Sequence, residues 1–214
     1  MPHEIMEIGA CKIDETGNIL SSFKQMVKPK LYRRVDKYVK KVTGISEEEL
    51  SRGKNFRKVF SEFMNWCGKT DVFMTWGRDD YLVLKRNLDF YEIDTDISIP
   101  IDIQKIYCYC FYKDINKQIS LHAALDENEI DFEFPAHRAI YDAIATARIV
   151  PILKKKFKTL DRDQVTLLVT SLRKEQEDVL YKSTHSKTIQ KEKREKANYP
   201  RKNRQEKGKE AQKS

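Results

Sequence analysis

Two extended runs separated by a tight turn constrain this chain before anything else does. "EIMEIGACKID" and "ILSSFKQMVKP" each alternate and then run apolar, as half-buried strands do, and between them lies "ETGN". Gly17-Asn18 and their polar neighbours form a hairpin turn of three to five residues. The chain therefore begins on an antiparallel pair, and the pattern after it must supply the layers that cover the pair.

That pattern alternates helix and strand. "SEEE" at Ser46–Glu49 fits a capping box, and "NFRKVFSEFMNWCG" repeats Phe56, Val59, Phe60, Phe63 and Trp66 at helical spacing. "DVFMTWG" reads as a buried strand ending at Gly77, "DYLVLKRNLDFY" as a helix, "ISIPIDI" as a strand and "SLHAALDEN" as a short helix. "PAHRAIYDAIATARIVPILKKKF" is the strongest helical pattern, with Pro151 bending or ending its far part. A further helix is expected at about Asp163–Leu180. Strands interleaved with helices indicate an α/β layer arrangement.

The net charge of +8 is located entirely at one end. Residues 182–214 carry 12 Lys/Arg against 4 Asp/Glu, whereas residues 1–181 balance 29 against 29. The basic pI therefore says little about the domain itself. The tail has almost no apolar residues to repay the entropy of ordering, so a disordered extension is expected, either binding phosphates or only solubilising. The expected divisions are a domain over 1–158, a C-terminal helix over 159–181 and the tail over 182–214. No apolar run is long enough to span a membrane and no signal-peptide core is present, so a cytoplasmic location is expected. Cys11, Cys67, Cys108 and Cys110 lack a recurring zinc spacing and read as reduced core thiols, with a zinc site using His122 as the weaker reading.

Two places put acidic or titratable groups where chemistry is plausible. Asp79 and Asp80 follow a strand end and open a helix, which suits either a helix cap or a site at the edge of an α/β sheet. His137 stands five residues before Asp142, and Asp142 lies inside an otherwise apolar helical pattern. A carboxylate there needs a partner or a cation, so a buried pair and a site are both open. Taken together, carboxylates from a strand end and a later helix, with a histidine nearby, meet much of what metal-assisted phosphodiester hydrolysis requires.

"HEIMEIGACKIDETGNILSSFKQMVKPK", "VTGIS", "VFMTWGRDDYLVLKRNL", "IDIQKIY" and "HRAIYDAIATARI" resemble, in order, the DEDDh 3′–5′ exonucleases. The flavour is that of the bacterial sporulation-inhibitor type and related RNA-trimming enzymes, and the resemblance covers roughly residues 3–155. It implies a ribonuclease H-like mixed sheet flanked by helices. It also implies metal-binding roles for Asp80, with Asp79 as fallback, and for Asp142, with His137 as general base. Thr43, Gly44 and Ile45 would lie beside the terminal nucleotide, and two Mg²⁺ or Mn²⁺ ions would serve as cofactors. The implied partner is a single-stranded 3′ end, RNA before DNA. Lys24–Lys41, with eight Lys/Arg and one Asp, either guides a phosphate backbone or is a solvated loop.

One family motif is missing. The family's D-x-E lies on a strand preceding the one that resembles "EIMEIGA", and only Met1-Pro2-His3 precede that stretch here. Glu4 and Glu7 are three apart and project from opposite faces of a strand, so they do not reproduce two carboxylates at i and i+2. The expectation is a sheet lacking its first central strand, as in a chain whose record starts late, with doubtful activity. A non-catalytic nucleic-acid-binding module is the alternative. A weaker one is an interaction protein that accepts a partner's strand.

Overall fold

A computed structural model of the chain describes residues 4–31, 34–69, 72–95, 97–132 and 137–184, with side chains through Tyr181. The hairpin forms as expected. Strands β1 (Glu7–Ile13) and β2 (Ile19–Met26) pair antiparallel, with Glu7 opposite Met26 and Cys11 opposite Ser22. At the turn the Asp14 carboxylate accepts from the backbone N–H groups of Thr16 (2.8 Å) and Asn18 (2.9 Å). Gly17 supplies the left-handed residue at φ 91°.

Helix α1 (Lys37–Thr43) occupies part of the basic stretch, capped by Asp36 and stopped by Gly44 in the left-handed region. Helix α2 (Glu47–Arg52) carries the expected capping box, with Ser46 and Glu49 bonded to each other's backbone N–H. Helix α3 (Phe56–Trp66) buries Phe56, Val59, Phe60 and Phe63. Those side chains share one core cluster with Phe23, Val27 and Leu88, and Ile8, Ala10 and Phe73 pack against it.

The later strands are shorter than their sequences suggest. Only Met74–Thr75 (β3) and Ile101–Asp102 (β4) pair, in parallel, and Val72 and Met74 are exposed rather than buried. Helix α4 (Asp79–Phe90) follows β3. Helix α5 (Ile103–Tyr112) follows β4 and was not legible beforehand. Its aromatic, β-branched and cysteine-rich composition disguises it, and capping by the Asp102 carboxylate on the Lys105 N–H (3.0 Å) starts it. Helices α6 (Leu121–Glu127) and α7 (Ala139–Phe157) pack with α5 in a second cluster, which Trp76 and Ile101 join. Pro151 does not end α7, which continues to Phe157.

Each sheet has two strands, and among the described residues no strand joins them. The mixed sheet expected from the sequence is thus present, among the described residues, as two separate pairs. Successive residues of β1 face the two sides of the strand in turn. Ile8 and Ala10 face the α3 side, whereas Glu7, Gly9 and Cys11 meet α7 at Ala139, Ile140 and Ala143.

Helix α8 covers Arg162–Thr184, one compact unit runs to Glu175, and residues from Gln176 belong to a second. The expected tail lies, from residue 185 onward, outside the described residues. All four cysteines are free, and Cys67, Cys108 and Cys110 are buried. No helix among the described residues is long and apolar enough to cross a membrane.

Gly9 makes the seat of α7 testable. A Cβ there would lie 2.1 Å from the Ile140 nitrogen and 2.3 Å from the Ala139 carbonyl carbon, both backbone atoms. Gly9→Ala is expected to cost about 3 kcal/mol by overpacking. Gly44→Ala meets nothing within 4 Å but is strained at φ 68°, and should cost only about 1 kcal/mol. Urea denaturation of both variants checks this, and equal losses would contradict the seat.

Candidate active site

Asp79 and Asp80 open α4, but neither caps it. Arg78 occupies the N-cap position and makes no side-chain cap bond. The carboxylates instead reach this edge through the turn at Gly77, which lies at φ 90°. Asp102 accepts a hydrogen bond from the Gly77 backbone, and the Trp76 indole N–H donates to the Ile119 carbonyl at 3.1 Å. The end of β3 is therefore anchored on both sides of the turn that delivers Asp80.

Asp142 arrives from α7, half-buried in the first turns of the helix. Its carboxylate accepts a hydrogen bond from the His137 backbone. His137 is exposed and held at φ 62°, a left-handed conformation that costs a non-glycine residue energy. Its ring centroid lies 6.4 Å from that of His122, which projects from α6. His122 is thus a second imidazole at the site.

The Asp80 carboxyl feels its acidic neighbours. Burial pushes the Asp80 carboxyl above the usual Asp range, and the charges of Asp142 and Asp79 push it further. Asp80 also reaches solvent at the lip, which screens part of that conflict. Burial raises Asp142 as well, against the lowering pull of His137 and His122, while Glu7 adds to the rise. Asp80, Asp142, His137 and His122 therefore share one electrostatic site built from α4, α6 and the entrance of α7.

An ion pair lies beside these groups. Glu7 is nearly buried on β1 and engages Arg138, the residue after His137, with Nε–Oε2 at 3.0 Å and Nη2–Oε1 at 3.3 Å. Arg138 also reaches Glu49 at 3.4 Å. Glu7 is therefore committed to Arg138 rather than free to replace a missing carboxylate. Glu4 is committed too, accepting from the backbone N–H groups of Lys30 (2.7 Å) and Leu31 (2.8 Å) and from the Tyr91 hydroxyl (2.9 Å).

Thr43, Gly44 and Ile45 form the link from α1 to α2. The Thr43 hydroxyl donates to the Val39 carbonyl and accepts from the Ile45 N–H, Ile45 is in the core, and Gly44 is exposed. Only Gly44 of the three is exposed. Through Glu49 and Arg138 this segment is tied to the entrance of α7.

The likeness to known proteins follows this geometry. Residues 1–150 match the profile of the exonuclease (RNase T) family. This chain belongs to the exonuclease family. The exonuclease-family chain is 27% identical over 155 residues to the PolC-type DNA polymerase III of Clostridium perfringens, covering 72% of this chain and 10% of the polymerase. It is 23% identical over 158 residues to human 3′-5′ exoribonuclease 1, covering 69% and 45% of the two. It therefore spans about a tenth of the first relative and under half of the second. Among solved structures, the nuclease domain of 3′hExo, a DEDDh family member bound to rAMP, matches with a TM-score of 0.65 at 23% identity. That match covers 72% of this chain and 82% of the other. The cell-death related nuclease CRN-4 matches with a TM-score of 0.64 at 20% identity, covering 71% and 57%. The fold is that of DEDDh exonuclease domains.

Such enzymes use divalent metal ions. Asp80 and Asp142 are hard oxygen donors whose mutual repulsion a cation relieves. Yet among the described residues no group of three or more His, Cys, Asp or Glu side chains is arranged to hold an ion.

The raised Asp80 carboxyl has a signed consequence. A carboxyl whose folded pKa exceeds its ordinary value of 3.8 favours the fold while protonated and loses that contribution as pH rises through the folded pKa. Asp80→Asn should therefore melt above wild type near pH 7, with the difference closing as pH falls below about 4. Thermal melts across that range check it; a variant that melts lower at neutral pH would contradict the like-charge reading.

Proposed function

We propose that this chain carries the Asp80, Asp142 and His137 side of a 3′–5′ exonuclease site acting on single-stranded 3′ ends, RNA in preference to DNA. The observation that carries this reading is the convergence of an acidic pair and an exposed imidazole from α4 and α7 in an exonuclease-family fold. In the reaction, His137 takes the proton of the water that attacks the terminal phosphorus, the P–O3′ bond to the preceding nucleotide breaks, and the departing 3′ oxygen takes a proton from solvent; the base role suits an imidazole. Asp142, which accepts from the His137 backbone, holds that residue at the helix entrance. Asp80 and Asp142 supply the anionic ligands to which Mg²⁺ or Mn²⁺, when bound, would add charge neutralisation at the phosphate. The preference for RNA is supported by the exoribonuclease relatives, by a neighbour bound to rAMP and by one recognising the 3′ end of a histone mRNA stem-loop.

A non-catalytic nucleic-acid-binding role is favoured by one observation, the absence of a complete metal-binding group among the described residues. Shortening of a 5′-labelled oligoribonucleotide with Mn²⁺ separates the readings. The exonuclease reading predicts stepwise loss from the 3′ end, and at least a hundredfold slower loss in Asp142→Asn and His137→Ala, on the order expected for a lost general base. Salt-sensitive binding with no shortening would favour the binding role, and equal shortening by all three proteins would place the activity elsewhere.

A further inference from the structure

We propose that Arg138, forked between Glu7 and Glu49, is a positioning residue that sets the direction of His137 and ties it to the Thr43–Ile45 segment. This rests on the reading of His137 as the base. The ion pair is nearly dry: the Glu7 side chain is 4% exposed and that of Arg138 is 12%. Burying two charges costs desolvation that apolar residues avoid, so such a pair is a poor device for stability alone. Fixing register is the better-attested use of one.

The bonds describe what is being fixed. Glu7 accepts from Nε and Nη2 of Arg138 and, through Oε2, from the Ala139 backbone N–H at 3.2 Å. Both residues after His137 are therefore held by one carboxylate on β1. His137 itself bonds through its backbone to Asp142, one turn further along α7. A left-handed non-glycine backbone persists only where its surroundings over-determine it, and these three attachments do so. On its other side Arg138 meets Glu49, whose second oxygen accepts from the Ser46 N–H at 3.0 Å. Ser46 directly follows Ile45, so the same guanidinium joins the Thr43–Ile45 segment to His137. A planar fork is required for this, because an ammonium carries the charge without the paired geometry.

The test uses the full chain carrying Arg138→Lys, Arg138→Ala or Glu49→Gln, with thermal melts to establish that each is folded. One readout is the φ-sensitive backbone couplings and Cα shift of His137 by NMR. The other is kcat and KM on the labelled oligoribonucleotide with Mn²⁺. Arg138→Lys should remain folded yet lose the left-handed signature at His137, and kcat should fall about 10–100-fold. KM should change by less than about threefold, since the lost interaction serves the chemical step. Glu49→Gln, at a half-exposed position, should shift His137 in the same direction by less and still fold if Arg138→Ala does not. An unchanged His137 signature in folded Arg138→Lys overturns the proposal. If wild type degrades nothing, the exonuclease reading fails, and the NMR signature still decides the role of Arg138.

Discussion

The seating of α7 on β1 is the contact on which the site depends. Gly9 allows the first turn of α7 to approach β1 backbone to backbone, and a single Cβ would prevent it. Next to that approach, Glu7 holds Arg138 and the Ala139 N–H, and Cys11 Sγ donates to the Ala143 carbonyl at 3.4 Å. Three alternate residues of one strand thus place His137 and Asp142. Packing alone would allow a helix of this length to slide or rotate. A small residue flanked by polar contacts fixes it in one register.

The other half of the site depends on the second pair of strands. β3 and β4 share only two paired residues each, so little sheet holds them. Local bonds compensate: Asp102 starts α5 and accepts from Gly77, while Trp76 and Gln104 both donate to the Ile119 carbonyl, at 3.1 and 2.8 Å. Asp80 is positioned by a turn and a network rather than by a strand running through the domain. This explains how the acidic pair is maintained although no strand joins the two sheets among the described residues.

Much of this was legible in the sequence, and the exceptions have physical causes. The hairpin, the Ser46–Glu49 capping box and the apolar face of α3 are encoded by neighbours in the chain, and local patterns report them faithfully. Helix α5 was hidden because Ile103, Tyr107 and Tyr109 are strand-like by type, while its start depends on one cap. The lengths of β3 and β4 were overread because an apolar run does not say whether a neighbouring strand is there to pair with it. Asp80, Asp142 and His137 stand out by their spacing and setting, while the roles expected of them come from the family resemblance. The pairing of Glu7 with Arg138 was not legible, because partners 131 residues apart leave no periodic trace.

Helices α4 and α7 bring Asp80 and Asp142 into one electrostatic site. The most direct test of this is the titration of the Asp80 carboxyl carbon by ¹³C NMR in wild type and in Asp142→Asn. The structure predicts a wild-type midpoint above the ordinary 3.8 that falls toward it when the Asp142 charge is removed. An Asp80 midpoint that is the same in both proteins would contradict the account.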